Sequence, residues 1–209
     1  MITYNLFSNS NVDCTSCLDI KIPDAEVFLY PSLLSYDEAD RLFDNLKTSI
    51  IWEKHKIKLY GELHDVPRLT AWYGDLNKSY VYSGIKLKPR PWNSDLLEIR
   101  EKIEKISKSK FNSVLLNRYR SGSDSVSWHS DDEPELGKNP VIGSMSLGEE
   151  REFQMKHKYD RDLKQNILLQ HGSFLLMKGK TQHSWLHQIP KKKSIKGERI
   201  NLTFRLIIH

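Results

Sequence analysis

Arg199-Ile200-Asn201-Leu202-Thr203-Phe204-Arg205 alternates polar and apolar residues without a break. Successive side chains of a strand point to opposite faces. Arg199, Asn201, Thr203 and Arg205 therefore share one face, and Ile200, Leu202, Phe204 and Leu206 the other. If the polar face is the outer, solvated face of an antiparallel sheet, the arginines simply meet water. If it points inward, each guanidinium needs a partner, because an unpaired buried charge is costly. A small dicarboxylic acid would offer two carboxylates to two guanidinium forks.

Outward from this strand the same texture fills the C-terminal half. Short runs at 112–119, 125–130, 141–147, 151–157, 166–169, 173–178, 183–189 and 199–208 are separated by turn residues. About eight short strands of this kind predict a sandwich or jelly roll. The N-terminal half reads differently. Ser35-Tyr36-Asp37-Glu38 is a capping box. It opens a helix to about Lys47, with Ala39, Leu42, Phe43 and Leu46 as the apolar stripe. Ile51 to Tyr82 carries β-formers with turn signals at Tyr60-Gly61 and Gly74-Asp75, which predict strands and a hairpin. A second helix is expected from about Ser94 to Ser107, with Leu96, Ile99, Ile103 and Ile106 on one side. Residues 1–30 look irregular, with short strands. No repeat, low-complexity tract or Gly/Ser linker divides the chain. The expectation is one domain over 1–209, of α+β class but mainly β, a jelly roll with N-terminal helices packed on its outside.

The chain has 209 residues, 38% hydrophobic and 28% charged, with a formal charge of +5. That is ordinary for a soluble domain with a real core. The basic balance favours polyanionic partners, nucleic acid first. The longest apolar runs, such as Ile167–Leu169 and Phe174–Met177, are far too short to span a bilayer. Met1–Asp13 lacks a basic stretch followed by an apolar one. The expectation is an intracellular monomer, in cytoplasm or nucleus, with no membrane contact. Cys14 and Cys17 form a lone CxxC with no second pair, which reads as free thiols rather than a zinc site.

Trp128-His129-Ser130-Asp131 is the first metal signal. On a strand, His129 and Asp131 share a face about 6–7 Å apart. A second histidine from another strand would complete a two-histidine, one-carboxylate face. That face leaves open positions on iron(II) for a chelating cosubstrate and O2. His183 and His187 both lie on the run Gln182–Ile189 with the same strand parity, so alternation does not separate them. His157 and His171 are lesser candidates. On the strand 111–120, Leu115, Asn117 and Tyr119 share a face, where Asn117 and Tyr119 would hydrogen-bond the same acid.

The combined pattern resembles the AlkB family of 2-oxoglutarate/iron(II)-dependent dioxygenases. The matching strings are Asn117-Arg118-Tyr119, His129-Ser130-Asp131-Asp132-Glu133, His187-Gln188-Ile189-Pro190 and Arg199 to Arg205. Further similarity runs from about Tyr60 to Arg205 and includes Val66-Pro67-Arg68, Tyr73-Gly74-Asp75, Tyr82-Ser83-Gly84 and Phe153 with His157-Lys158. It is most similar to the members that repair double-stranded DNA; residues 1–50 carry little. The resemblance implies a double-stranded β-helix. Its helices and nucleotide-recognition lid would fall in 1–110 and its catalytic core in 111–209. It implies His129, Asp131 and His187 as iron(II) ligands, His187 being the histidine that precedes the arginine strand by a loop.

The resemblance also implies Asn117, Tyr119, Arg199, Asn201 and Arg205 as the 2-oxoglutarate site. Arg199 and Tyr119 would take the distal carboxylate, and Arg205 and Asn117 the end nearer the metal. The implied reaction consumes 2-oxoglutarate and O2, hydroxylates an N-methyl group and releases succinate, CO2 and formaldehyde. N1-methyladenine and N3-methylcytosine are cationic, and a cation stacks well on an aromatic face. By resemblance Tyr80 and Tyr82 lie in the base-recognition lid, Glu133 reaches the flipped base, and Tyr60 sits on a finger that fills the gap in the duplex. The loop Lys191-Lys192-Lys193 with Lys196 is either a phosphate contact or a solvated loop. RNA as substrate, or a catalytically silent nucleic-acid-binding member, are the alternatives.

Overall fold

Alternation that leaves both faces of a strand useful requires a layer on each side, and the chain builds those layers. The computed structural model describes residues 16–59, 62–76, 80–82, 85–87 and 89–208. In chain order the strands are β1 (Leu18–Ile20), β2 (Glu26–Tyr30), β3 (Lys56–Leu59), β4 (Glu62–Asp65), β5 (Leu69–Gly74), β6 (Tyr80–Tyr82), β7 (Ile85–Leu87) and β8 (Ser113–Tyr119). Then follow β9 (Val126–His129), β10 (Ile142–Gly148), β11 (Arg151–His157), β12 (Lys164–Leu169), β13 (Phe174–Lys178), β14 (Trp185–Ile189) and β15 (Arg199–Arg205). The helices are α1 (Tyr36–Ser49), α2 (Ser94–Ser107) and the four-residue α3 (Thr181–Ser184).

The larger sheet runs β1-β2-β13-β10-β15-β8-β5, and the smaller β12-β11-β14-β9. The pairings within both are antiparallel. The C-terminal strands divide four and four between these sheets, as a jelly roll requires. Two-stranded ribbons β3-β4 and β6-β7 stand apart.

The larger sheet is buried on both faces. On one, Leu42 and Leu46 of α1 and Ile99 and Ile103 of α2 pack with Val114 and Leu116 of β8 and Ile200, Leu202 and Phe204 of β15. On the other, Leu115, Ile142 and Met177 meet Phe153, Met155, Ile167 and Trp185 of the smaller sheet. The polar face of β15 therefore looks into the space between the sheets. Arg199, Asn201, Thr203 and Arg205 are all buried, so the outer, solvated reading of that face fails.

The capping box forms as read. Ser35 Oγ accepts from Glu38 N at 3.3 Å, and Ser35 N donates to Glu38 Oε2 at 3.0 Å. Such a cap stabilises a helix by about 1 kcal/mol. Asn93 Oδ1 caps α2 by accepting from Leu96 N at 2.9 Å. One reading needs correction. His183 is not on a strand: the run splits into α3 and then β14, so its supposed parity with His187 does not exist. The short strands expected in the N-terminal segment are β1 and β2, and β2 pairs with β13 along its length.

Tyr80 and Tyr82 lie on β6, opposite Leu87 and Ile85. Tyr60 and Cys14 lie outside the described residues. Cys17 is a free, exposed thiol. Among the described residues no helix is long and apolar enough to cross a membrane.

Candidate metal and dicarboxylate site

Antiparallel pairing places His129 of β9 directly opposite His187 of β14. Their ring centroids lie 4.3 Å apart. Asp131 falls two residues past His129, just beyond the end of β9, and turns back toward both rings. The ligand atoms of His129, Asp131 and His187 all lie within 4.8 Å of one another.

Each member is held in a form a metal accepts. His129 Nδ1 sits 2.8 Å from the Ser127 carbonyl oxygen. A carbonyl only accepts, so Nδ1 carries the proton and Nε2 keeps its lone pair. His187 is 4% exposed and stacks on Phe153 at 5.0 Å. Burial first, and then the neighbouring His129, push its pKa down to about 3, so at neutral pH the ring is uncharged. Burial by itself pushes the Asp131 carboxyl up. The Arg205 guanidinium, then His187 and His129, outweigh it and hold the group at about 2. Arg205 Nη2 donates to Asp131 Oδ1 at 2.8 Å, leaving Oδ2 for a metal.

Beside this cluster the two sheets enclose a cavity of about 320 Å³, lined among others by Asn117, Tyr119, Glu133, Arg199, Asn201 and Arg205. On its floor Arg199 faces Tyr119, and Asn201 faces Asn117, across the β15–β8 ladder. Arg199 is 1% exposed and donates from Nη2 to Ser146 Oγ at 2.9 Å. Its Nε and Nη1 are buried with no hydrogen-bond partner. Burial lowers its pKa to about 10, against the pull of Tyr119, so it stays cationic. Asn201 Nδ2 donates to Ser144 Oγ at 2.8 Å. Asn117 Oδ1 accepts from Arg68 Nε at 2.6 Å. Glu133 is half-buried at the cavity wall, and its Oε2 is buried without a partner.

The other candidate histidines are engaged elsewhere. His183 is exposed and its Nε2 accepts from Asn139 N at 3.3 Å. His157 Nδ1 accepts from Asp160 N, and His171 Nδ1 from Gly148 N. None joins the cluster. Lys191, Lys192, Lys193 and Lys196 are exposed in the loop between β14 and β15.

Two imidazoles and a carboxylate are the donors iron(II) takes on one face. A buried, under-partnered arginine beside them suits a second carboxylate. The residues thus fit iron(II) and 2-oxoglutarate. The superfamily that joins this fold to this donor set is the 2OG-Fe(II) oxygenases, and the chain belongs to it, the match running over residues 26–205. Among named relatives, the alpha-ketoglutarate-dependent dioxygenase alkB homolog 3 of Bos taurus is 41% identical over 192 residues, 88% of this chain and 66% of its own length. The DNA oxidative demethylase ALKBH2 of Mus musculus is 36% identical over 189 residues, 86% of this chain and 79% of its own length. The chain thus spans just under two thirds of the alkB homolog 3 relatives it matches. The solved structure of OsALKBH1 shares the fold, with TM-score 0.65 at 18% identity over 91% of this chain and 100% of that one.

Sequence reading missed Gln182. It is fully buried on α3, and its Oε1 accepts from Asp131 N at 2.9 Å. Its own carbonyl takes Lys158 Nζ, which also reaches Asp132. Together they pin the loop that carries Asp131. Removing an outer partner of a metal ligand typically weakens metal affinity by about 10–100-fold. Gln182→Leu should weaken Mn(II) affinity by at least about tenfold, read by titration with the melting transition as a fold control. Unchanged affinity would reduce Gln182 to packing.

Proposed function

We propose that this protein is an iron(II)- and 2-oxoglutarate-dependent dioxygenase that oxidatively demethylates alkylated nucleobases, N1-methyladenine and N3-methylcytosine in DNA first. The observation that carries the reading is the convergence of His129, Asp131 and His187 on the same cavity as Arg199. The names of the relatives, a dioxygenase and a DNA oxidative demethylase, support the substrate class. The complete donor set argues against a silent binding domain.

Iron(II) and 2-oxoglutarate, when bound, supply the oxidising power: one atom of O2 enters succinate as CO2 leaves, and the other enters the N-methyl group. The hydroxymethyl base then loses formaldehyde: the C–N bonding pair returns to the ring nitrogen, which regains its lone pair, and the hydroxyl proton passes to solvent. His129, Asp131 and His187 would hold the metal, with Arg205 fixing Asp131 and, beside Asn117, serving the end of the acid nearer the metal. Arg199 and Tyr119 bind the distal carboxylate. Asn117, whose Oδ1 is held by Arg68, offers its amide NH2 to the end nearer the metal. Asn201 braces β15 against β10. The walls of the cavity keep water from the reacting atoms. On the base side the proposed contacts are Tyr80, Tyr82 and Glu133, with Tyr60 as the finger. The protein would act as a monomer in nucleus or cytoplasm, where such a substrate lies.

The test is release of succinate and formaldehyde, with mass spectrometry of methylated DNA and RNA oligonucleotides before and after incubation. Succinate release that no methylated oligonucleotide stimulates would overturn the nucleic-acid reading. Equal repair of RNA would widen it. Glu133 carries a narrower prediction. Its buried, unpartnered Oε2 is suited to a positive ring. Glu133→Gln should lower activity on N3-methylcytosine more than on neutral N3-methylthymine in the same strand. Equal losses would show that Glu133 does not read charge.

A further inference from the structure

Arg151 opens β11 on its inward face, ahead of Phe153 and Met155 at two-residue spacing. It is 2% exposed. A buried guanidinium ordinarily takes a carboxylate, but here it is met by main-chain carbonyls. Nη2 donates to Asp124 O at 2.9 Å and Pro190 O at 2.7 Å, and Nη1 to Ser121 O at 3.4 Å. The nearby Asp124 carboxylate is taken by Arg120, through Nε at 2.8 Å and Nη2 at 2.9 Å.

Those carbonyls belong to two loops. Ser121 and Asp124 lie between β8 and β9, the connection from Tyr119 to Val126. Pro190 begins the connection from β14 to β15, which runs from Ile189 to Arg199. Each loop thus has an acid-side residue, Tyr119 or Arg199, at one end and at the other a strand, β9 or β14, that carries a metal-side histidine. The loops also bind each other: Gly122 N donates to Ile195 O at 3.0 Å, and Lys192 N to Gly122 O at 2.7 Å. The approach is so close that a Cβ at Gly122 would come 1.9 Å from Lys192 O. Finally, the Arg151 guanidinium lies 5.4 Å from the Tyr119 ring centroid, and that of Arg199 lies 5.2 Å from the same ring.

We infer that Arg151 is a positioning residue for the second carboxylate of the cosubstrate. It does not line the cavity. From behind Tyr119 it fastens both loops, fixes the ring and the exit from β14, and adds a second positive charge at the Arg199 end. The inference rests on the dioxygenase reading and deepens it: Arg151 sets the preference for a dicarboxylic over a monocarboxylic keto acid.

The test compares 2-oxoglutarate with 2-oxovalerate, which has the same chain length but no distal carboxylate, by calorimetry on Mn(II)-loaded protein. The native chain should prefer the diacid. Arg151→Met should shrink that preference by about tenfold, as loss of an outer partner does, through weaker diacid binding with Mn(II) affinity unchanged. Arg151→Lys keeps the charge but cannot span both loops, and should also lose part of the preference; it decides the matter if Arg151→Met does not fold. In the native chain, 2-oxoglutarate but not 2-oxovalerate should slow hydrogen exchange in both loops together. A native protein that does not distinguish the two acids defeats the dioxygenase reading itself. A native protein that distinguishes them, with folded variants that do so equally well, overturns the inference, as does equal slowing of exchange by both acids.

Discussion

His187→Ala should abolish metal retention and turnover while leaving the chain folded, whereas His183→Ala should leave both intact. The difference follows from where the two rings sit. His187 is buried opposite His129, its ligand atom is within 4.8 Å of those of His129 and Asp131, and its ring is neutral at working pH. His183 is exposed on α3. Two remaining donors do not hold a labile divalent ion against water, so the loss should be complete rather than graded. Folding pays less. The alanine removes the ring that stacks on Phe153, a packing loss of roughly 2 kcal/mol by comparison with other large-to-small core changes. Metal stoichiometry, succinate release and thermal melting read the three consequences separately. Full activity in His187→Ala together with loss in His183→Ala would reverse the choice of third ligand.

Much of the fold was legible because the chain keeps its two periods clean. A strand buried on both faces usually reads as a continuous apolar run, and β15 would have been ambiguous had its cavity face been Val and Ile. Its arginines, Asn201 and Thr203 preserve the alternation because that face lines a polar cavity. In α1 the capping box and the stripe Ala39, Leu42 and Leu46 agree on one boundary and one buried face. Other features had no local signal. The pairing of β2 with β13 joins residues about a hundred and fifty positions apart, which no periodicity records. Four residues of α3 complete barely one turn, so an alternation reading ran through them and gave His183 a parity it lacks.

The site divides in the same way. The HxD pattern and the polar face of β15 are short-range facts, and they brought out His129, Asp131 and both β15 arginines; His187 was separated from His183 only by the resemblance. The residues that aim them act through hydrogen bonds across the fold. Gln182 reaches the main chain of Asp131 from 51 positions away, and Arg68 reaches Asn117 from 49. Arg151 donates its hydrogen bonds to backbone oxygens, whose placement no side-chain pattern encodes. Val66-Pro67-Arg68 was visible as similarity, but its role depended on seeing that Nε meets Asn117.

Arg199→Met should raise the 2-oxoglutarate requirement by at least about tenfold, since a charge-assisted hydrogen bond contributes roughly 1.5–3 kcal/mol and each 1.4 kcal/mol is tenfold in affinity. Methionine is long enough to fill most of the space, so the change removes donors and charge more than volume. The metal ligands are untouched, so turnover at saturating 2-oxoglutarate should stay within a fewfold of native, and the effect should fall on KM. Stability should move the other way. Arg199 is fully buried, with Nε and Nη1 lacking partners, and burial already lowers its pKa to about 10. Keeping that charge inside costs the folded state. Without 2-oxoglutarate, the variant should therefore melt no lower than the native chain. Native protein should gain stability on adding 2-oxoglutarate, as any ligand of the folded state confers, and the variant should lose most of that gain. This opposite pair of shifts separates a ligand-binding arginine from a structural one, whose removal would lower the melting temperature and leave the 2-oxoglutarate requirement alone. An unchanged requirement in a folded Arg199→Met protein would take the distal carboxylate away from Arg199.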